Sequence, residues 1–314
     1  MIDSCYRLFK GIRNYRNLVP LMYQRATHSA LIDVTDRRTG LRFKCRRGAD
    51  TMLAETFHAL IYHVPFAPIR SGDIVIDVGA NHGFFSCWAA QQGAIVHAFE
   101  PDPNTFDRLV ENIRLNGFEG IIRPHQYAIA DETGESHLFC SSDLGGGLST
   151  IIPAFAVKSG MEVMSQAKIK AMSLTDALEY CQVDRVRICK LDCEGAEYSI
   201  LGSLKTDILN RFDSFVMEYH PQAYNLPQFM DLLLSFEGYH ISKVVSQDRD
   251  LENANLSVVR SELIREWSRS TTVERRHANG QMNGVQQNGV SQNGVSQNGV
   301  SQNGIHKEHP PKQR

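Results

Sequence analysis

"DIVIDVGANHGFFSCWAAQQ", residues 73–92, is the stretch whose reading decides the fold. "DIVIDV" (73–78) is a short apolar run of the kind a sheet buries on both faces. Asp77 lies near its end, Gly79 and Gly83 follow, and "FFSCWAAQQ" (84–92) reads as a helix. Glycine takes positive φ and lets backbone approach a ligand closely. The helix beyond begins with N–H groups that lack intrahelical partners. Strand, glycine turn and helix N-terminus together form a cradle for a polar ligand. The spacing is G-A-N-H-G, which is neither G-x-G-x-x-G nor a P-loop with its G-K-S/T.

Downstream, strand and helix patterns alternate. "AIVHAFE" (94–100) is a second strand, "NTFDRLVENIRLN" (104–116) a helix, and "RPHQYAIA" (123–130) a third strand. "GESHLFC" (134–140) reads as an added antiparallel strand or hairpin arm, and "LGGGLSTIIP" (144–153) as a loop. "SLTDALEYC" (173–181) is a short helix with Ser173 at its N-cap. "VRICKLD" (186–192) and "DSFVMEYH" (213–220) are the fourth and fifth strands, separated by the helix "AEYSILGSL" (196–204). "PQFMDLLLSF" (227–236) is a helix with Pro227 at its start. "YHISKVV" (239–245) and "NLSVVRS" (255–261) close the sheet as an antiparallel pair. The pattern predicts an α/β fold, a mostly parallel sheet with helices on both faces. Ligands of such folds bind beyond the carboxyl ends of the strands.

Three acidic strand tips fall at that end. Glu100 closes the second strand, where a carboxylate can accept two hydrogen bonds from ribose hydroxyls. A glycine turn beside an acidic tip points to an adenosine-type ligand, and does not choose between NAD and S-adenosylmethionine. The fourth strand ends "KLDCEGAE" and the fifth "FVMEYH". Residues two apart share a face of a strand, so Asp192 goes with Glu194 and Glu218 with His220. Four ionisable groups collected there are expensive to bury without a purpose. The competing readings are helix capping for Glu194 and Glu197, and a solvated or lysine-paired carboxylate for Glu218.

"VIDVGANHGFFS", "HAFEPDPNTFDRLVENIRLN", "AIADETGE" and "CKLDCEGAEYSILGSL" together resemble the FkbM-type methyltransferase family, over roughly residues 45–245. His82 and Cys193 stand where that family commonly has apolar residues. The resemblance implies a class I (Rossmann-like) methyltransferase fold, a mostly parallel seven-stranded sheet with one reversed strand. It implies S-adenosylmethionine as cofactor and methyl transfer, usually to a hydroxyl of a sugar, glycolipid, polyketide or other secondary metabolite. Carried over by position, Gly79, Ala80, Asn81 and Gly83 form the turn against the methionine half of the cofactor. Asp77 holds that turn or faces the amino-acid moiety, Glu100 binds the ribose, and Asp131 meets the adenine amino group. The upstream "RRGADTMLAETF" brings Asp50 and Glu55 toward the cofactor. His220 is the candidate general base, with Asp192 or Glu194 orienting it or acting in its place. These carboxylates and His220 also make an oxygen-rich set suited to magnesium or manganese, an arrangement weighed below the metal-free one. An NAD-dependent oxidoreductase and a non-catalytic S-adenosylmethionine-binding module are the alternatives; the missing third glycine argues against the first, the Asp192–Glu194 pair against the second.

Totals set the remaining bounds. With 314 residues, 33 Lys and Arg against 35 Asp and Glu, nothing in the charge points to nucleic acid. Seven cysteines without a C-x-x-C pair read as a reduced, cytoplasmic protein. No apolar run is long enough to span a membrane. Phe9, Ile12, Tyr15 and Val19 recur at helical spacing among Arg7, Lys10, Arg13 and Arg16, a basic amphipathic pattern able to touch an anionic membrane. The expected divisions are an N-terminal basic segment (1–45), the methyltransferase domain (46–269) and a disordered tail (270–314), in which "NGVSQNGVSQNGVSQNG" repeats a five-residue unit. One valine per unit buries too little to offset the entropy of ordering. Deleting residues 275–314 is therefore expected to leave melting temperature and cofactor affinity unchanged. Protection of tail amides in hydrogen exchange would contradict this.

Overall fold

The computed structural model describes residues 30–46, 49–141, 149–246 and 254–269, so the expected N-terminal basic helix and the repeat tail lie outside the described residues. The strands are β1 Leu31–Thr35, β2 Arg42–Arg46, β3 Ile74–Val78, β4 Ile95–Phe99, β5 Ile122–His125, β6 Ala128–Ala130, β7 Gly134–Cys140, β8 Ser149–Thr150, β9 Ser165–Ser173, β10 Ile188–Leu191, β11 Ser214–Glu218, β12 Tyr239–Ser246 and β13 Ala254–Arg260. The helices are α1 Asp50–Ala54, which runs on into a π-helical turn Glu55–Ala59, α2 Phe84–Gln91, α3 Pro103–Leu115, α4 Pro153–Lys158, α5 Leu174–Cys181, α6 Glu197–Gly202, α7 Thr206–Leu209 and α8 Leu226–Leu234.

Seven strands form the main sheet in the order β12-β13-β11-β10-β3-β4-β5. Neighbours from β11 to β5 are parallel, and β13 runs antiparallel to both β11 and β12. One reversed strand in an otherwise parallel sheet is the expected Rossmann-like pattern. Alternate residues feed two cores. Val75, Val96, Ala98, Ile122 and Ile188 face a core shared with α2, α3 and the β1–β2 hairpin. Ile76, Val78, Phe99, Cys189 and Leu191 face a second core shared with α5, α6 and α8. Burial on both faces is why these strands read as continuous apolar runs.

Several expectations needed correction. The third strand is two: β5 stays in the main sheet, while β6 leaves it to pair with β9 in a second sheet, β6-β9-β7-β8. β7 is the expected antiparallel arm, held by β9, a strand whose alternating polar residues hid it. Pro153 starts a short helix within what read as loop. The boundary expected at residues 45/46 falls inside β2. Phe43 and Cys45 are fully buried in the first core, so the hairpin belongs with the sheet. Asn112 of α3 clamps it, accepting from Lys44 N at 2.8 Å and donating to Lys44 O at 3.1 Å. Ser173 caps α5 as expected, accepting from Asp176 N. By chain contacts Met1–Trp267 form one unit and Ser268–Arg314 another. Among the described residues no helix is long and apolar enough to cross a membrane, and six cysteines are free.

The first core is interrupted by charge where β3 and β10 end. Lys190 stands opposite Asp77 in the β3–β10 register, and its ammonium lies 3.2 Å from Asp77 and 3.5 Å from Asp192. It also donates to Gly79 O at 3.0 Å. Removing one partner of such a buried set leaves charge uncompensated, at about 3–5 kcal/mol. Lys190→Ala is expected to lose that much stability in urea denaturation, and Lys190→Met combined with Asp77→Asn to lose less. Equal losses would show that packing, not charge, holds the pair.

Candidate active site

The carboxyl ends of β3, β4, β10 and β11 converge on two adjoining cavities. Both are lined by Met52, Gly79, Asn81, Asp192 and Glu194. The first continues past Phe99, Glu100, Pro101, Tyr127, Ala128, Ile129 and Ile151. The second continues past Glu55, Thr56, Tyr62, Phe84, Phe85, Lys190 and Glu218.

The glycine turn is built for close approach. Gly79 has φ 71°, and a Cβ there would lie 1.9 Å from Asp192 O, so no other residue fits. Gly79 N and Ala80 N both donate to Phe99 O, which ties the turn to the end of β4. Asn81 is left-handed at φ 50° and donates its N–H to Glu100 Oε2 at 2.9 Å. Gly83 serves packing: a Cβ would meet Leu109 of α3 at 2.7 Å. Asp77 is fully buried, accepts from Ser86 Oγ at 2.6 Å and pairs with Lys190. It holds the turn and lines neither cavity. His82 is buried too; burial first, then Arg46 and Arg108, pull its pKa down to about 3, so it packs as a neutral ring beside Phe84.

Glu100 lines the first cavity at the place expected for a ribose anchor. Its carboxylate accepts from Asn81 N and from Asp102 N at 3.0 Å, leaving further lone pairs toward the cavity. Burial, opposed by those two N–H groups, pushes its pKa up to about 7. Asp131 is not where the adenine assignment needs it. It is exposed in the bend after β6 and lines neither cavity. The chain leaves the main sheet after His125, so Tyr127, Ala128 and Ile129 wall the pocket instead. Ser149 and Ile151 also line this first cavity.

The catalytic candidates do come together. One ligand atom each of Asp192, Glu194 and His220 lies within 4.8 Å of the others, a spacing that a divalent cation could also use. Asp192 accepts from Tyr62 Oη at 2.7 Å and faces Lys190. Burial opposes its charge, yet Lys190, His220 and Tyr62 together keep its pKa below the usual carboxylate value. Glu194 sits at φ 56°, a left-handed residue in the tight turn after β10, with Thr150 Oγ1 bonded to its carbonyl at 2.7 Å. Burial raises its pKa to about 7; His220 opposes the shift, Asp192 and Glu197 add to it. Glu218 is raised to about 8, first by burial and then by Asp192.

His220 stands behind Glu194 and lines neither cavity. Its Nε2 is 3.4 Å from Glu194 and its Nδ1 3.0 Å from Glu197. Burial disfavours its charge, but Glu197, Glu194 and Asp192 outweigh that and push its pKa up to about 10. A cationic imidazole at neutral pH has no lone pair to accept a proton, so the geometry does not suit it as general base. Glu197 does cap the turn, accepting from Cys193 N and Gly195 N, and it also accepts from Tyr224 Oη at 3.0 Å. Four partners fix this fully buried carboxylate, which in turn fixes His220. Tyr62 and Lys190 were missed in the sequence. The signal for Lys190 was a lone charge in the middle of the apolar "VRICKLD".

Sheet order, glycine turn and acidic β4 tip together define a class I, S-adenosylmethionine-dependent methyltransferase. Residues 77–241 match the model of the methyltransferase FkbM domain, which is 165 of 314 residues, and the chain belongs to that family. The NAD reading falls with that match. Among curated relatives, the chain is 28% identical over 148 residues to the hexuronic acid methyltransferase AglP of Haloferax volcanii, covering 47% of this chain and 56% of that one. It is 26% identical over 204 residues to 31-O-demethyl-FK506 methyltransferase FkbM of Streptomyces tacrolimicus, covering 57% and 76%. The chain thus spans little more than half the length of the former. The solved methyltransferase FkbM of Methylobacillus flagellatus KT aligns with 60% of this chain and 43% of its own, at 17% identity and a TM-score of 0.42, too loosely to fix any residue's role.

Glu100 yields a prediction with a sign. The ribose role expected of Glu100 favours the ionised carboxylate, which accepts more hydrogen bonds than the acid, and its pKa is raised to about 7. Cofactor affinity should therefore fall as pH drops through about 7 and hold above it. Glu100→Ala should remove bonds worth roughly 1.5–3 kcal/mol, about ten- to a hundredfold in affinity, and flatten the profile. Calorimetric titration across pH checks both; unchanged affinity in the variant would sink the ribose assignment.

Proposed function

We propose that this protein is an S-adenosylmethionine-dependent O-methyltransferase acting on a hydroxyl of a sugar, glycolipid or secondary metabolite. The observation that carries the reading is the position of Glu194, a half-buried carboxylate at the junction of the two cavities with its pKa near 7. The names of the Haloferax and Streptomyces relatives, a hexuronic acid methyltransferase and a 31-O-demethyl-FK506 methyltransferase, support a hydroxylated acceptor.

In this reading Gly79, Ala80, Asn81, Gly83 and Glu100 hold the cofactor, with Asp77 bracing the turn from within. When bound, the cofactor supplies an electrophilic methyl group on a sulfonium. The second cavity receives the acceptor. Glu194 takes the hydroxyl proton as the oxygen gains its methyl group. Glu218, protonated near neutral pH, donates a hydrogen bond to the acceptor. Asp192 stays ionised and fixed by Tyr62 and Lys190. His220 acts through Glu194, lowering its pKa and aiming its carboxylate. The catalytic unit is the Met1–Trp267 body, and the repeat tail is dispensable for chemistry. Lys190 already supplies a cation beside Asp192, which favours the metal-free mechanism over one with a divalent ion at Asp192, Glu194 and His220.

The test is transfer of labelled methyl to a panel of sugars, glycolipids and polyols, followed by a rate–pH profile on any acceptor found. The rate should rise through about 7 and level off, because only ionised Glu194 accepts the proton. Glu194→Gln should lose roughly 10²–10⁴-fold. His220→Ala removes a neighbouring cation, so the same limb should move to higher pH. A His220→Ala limb that vanishes altogether would return the base role to His220. Loss of activity with chelator, restored by magnesium or manganese, would replace the metal-free mechanism.

A further inference from the structure

The second titratable cluster lies on the opposite side of the nucleoside pocket wall. β4 presents Ile95, His97 and Phe99 to one face of the sheet, and His97 is a histidine on a face otherwise apolar, only 1% exposed. His125 at the end of β5 faces it, with His97 Nδ1 3.1 Å from His125 Nε2 and the rings parallel within 4°. Cys181, the last residue of α5, points at the same atom, its Sγ 3.7 Å from His125 Nε2. One ligand atom of each of the three lies within 4.8 Å of the other two.

Hydrogen bonding accounts poorly for this arrangement. A single proton serves the contact between the imidazoles, the thiol competes for the same Nε2, and His97 Nε2 has no hydrogen-bond partner among the described residues. Metal ligation accounts for it better. Zinc binds imidazole nitrogen at about 2.0–2.1 Å and thiolate at about 2.3 Å, so a tetrahedral site separates two nitrogens by roughly 3.3 Å and nitrogen from sulfur by roughly 3.6 Å. The contacts at 3.1 and 3.7 Å are close to those edges.

We propose that His97, His125 and Cys181 form a binding site for a thiophilic metal ion of the zinc class, separate from the active site. Two imidazoles and a thiolate are borderline-to-soft ligands, unlike the oxygen-rich set at Asp192 and Glu194. Both imidazoles are ready: burial first, then His125 and Arg123 for His97 and Arg123 for His125, holds each pKa down to about 4, so the rings stay neutral. Burial pushes the Cys181 thiol up to about 11, so metal entry has to expel its proton, and Arg123 favours the resulting thiolate. The fourth position is left to water. The site braces the nucleoside wall, since His125 O accepts from Glu100 N at 3.1 Å and the His125 ring stacks on Phe99 at 4.7 Å.

Cobalt reports on a cysteine ligand directly, through a thiolate-to-cobalt charge-transfer band. Full-length protein freed of metal by chelator should take up one cobalt ion with that band, and zinc should displace it. Cys181→Ser should abolish the band. His125→Gln should weaken binding by at least about a hundredfold, since loss of even an outer partner costs about 10–100-fold. Glu194→Gln should bind as the parent does, which separates this site from the carboxylate cluster. His97 is too deeply buried to rely on a variant, so zinc-edge absorption supplies the second measurement: two nitrogens and one sulfur are expected. No charge-transfer band in the parent, a band that survives in Cys181→Ser, or a zinc shell of oxygen and nitrogen alone would overturn the assignment.

Discussion

The Lys190 ammonium holds the active end of this fold together. It sits among Asp77, Asp192 and the carbonyls of Val78 and Gly79, with the Tyr62 ring 5.1 Å below it. Those partners come from β3, β10, the glycine turn and the segment before β3. One buried cation thus ties together four of the segments that shape the two cavities. The same cation offsets the cost of taking the fully buried Asp77 and the largely buried Asp192 out of water. A charge taken out of water must be paired, and a pair of carboxylates this deep needs a cation between them.

A second buried group does the corresponding work on the far side of the site. Glu197 collects two backbone N–H groups, the Tyr224 hydroxyl and the His220 imidazole. Its negative charge is what keeps His220 positive, and the positive His220 is what restrains the pKa of Glu194. The turn between these groups needs Glu194 at φ 56° and Gly195 at φ 105°, a backbone strain that fixes the direction of the Glu194 side chain. His220 looks like a base when judged by its unperturbed pKa. It stops looking like one when its three acidic neighbours are counted.

The sequence carried the main sheet because both of its faces are buried, so each strand announced itself as an apolar run beside a glycine or acidic tip. The glycine turn, Glu100, Asp192, Glu194 and the β12–β13 pair were legible for that reason. β1 and β2 were not, because they are short and their polar residues alternate with buried ones, and β9 was not, because most of its residues are polar and exposed or half-buried. Asp131 was misplaced by the break between β5 and β6, where Gln126 and Tyr127 lie outside any strand and β6 pairs with β9 instead of the main sheet. Glu197 was legible as a cap but not as the partner of His220. A residue's partner across 23 positions depends on strand order, and composition and spacing do not record it.

The acids outnumber the cations in this site, and that imbalance has a consequence for ligand entry. Glu100, Glu194 and Glu218 all have pKa values raised by burial, and each lines a cavity. A cation entering between them favours their ionised forms, since an opposite charge nearby lowers a carboxyl pKa by about 1–3 units. The sulfonium and ammonium of S-adenosylmethionine are such cations. Under the proposed function, a cofactor in the first cavity would therefore shift Glu100 and Glu194 toward their ionised forms. By linkage the gain is reciprocal, so the burial that makes these carboxylates costly in the empty site also makes them responsive to a positively charged ligand.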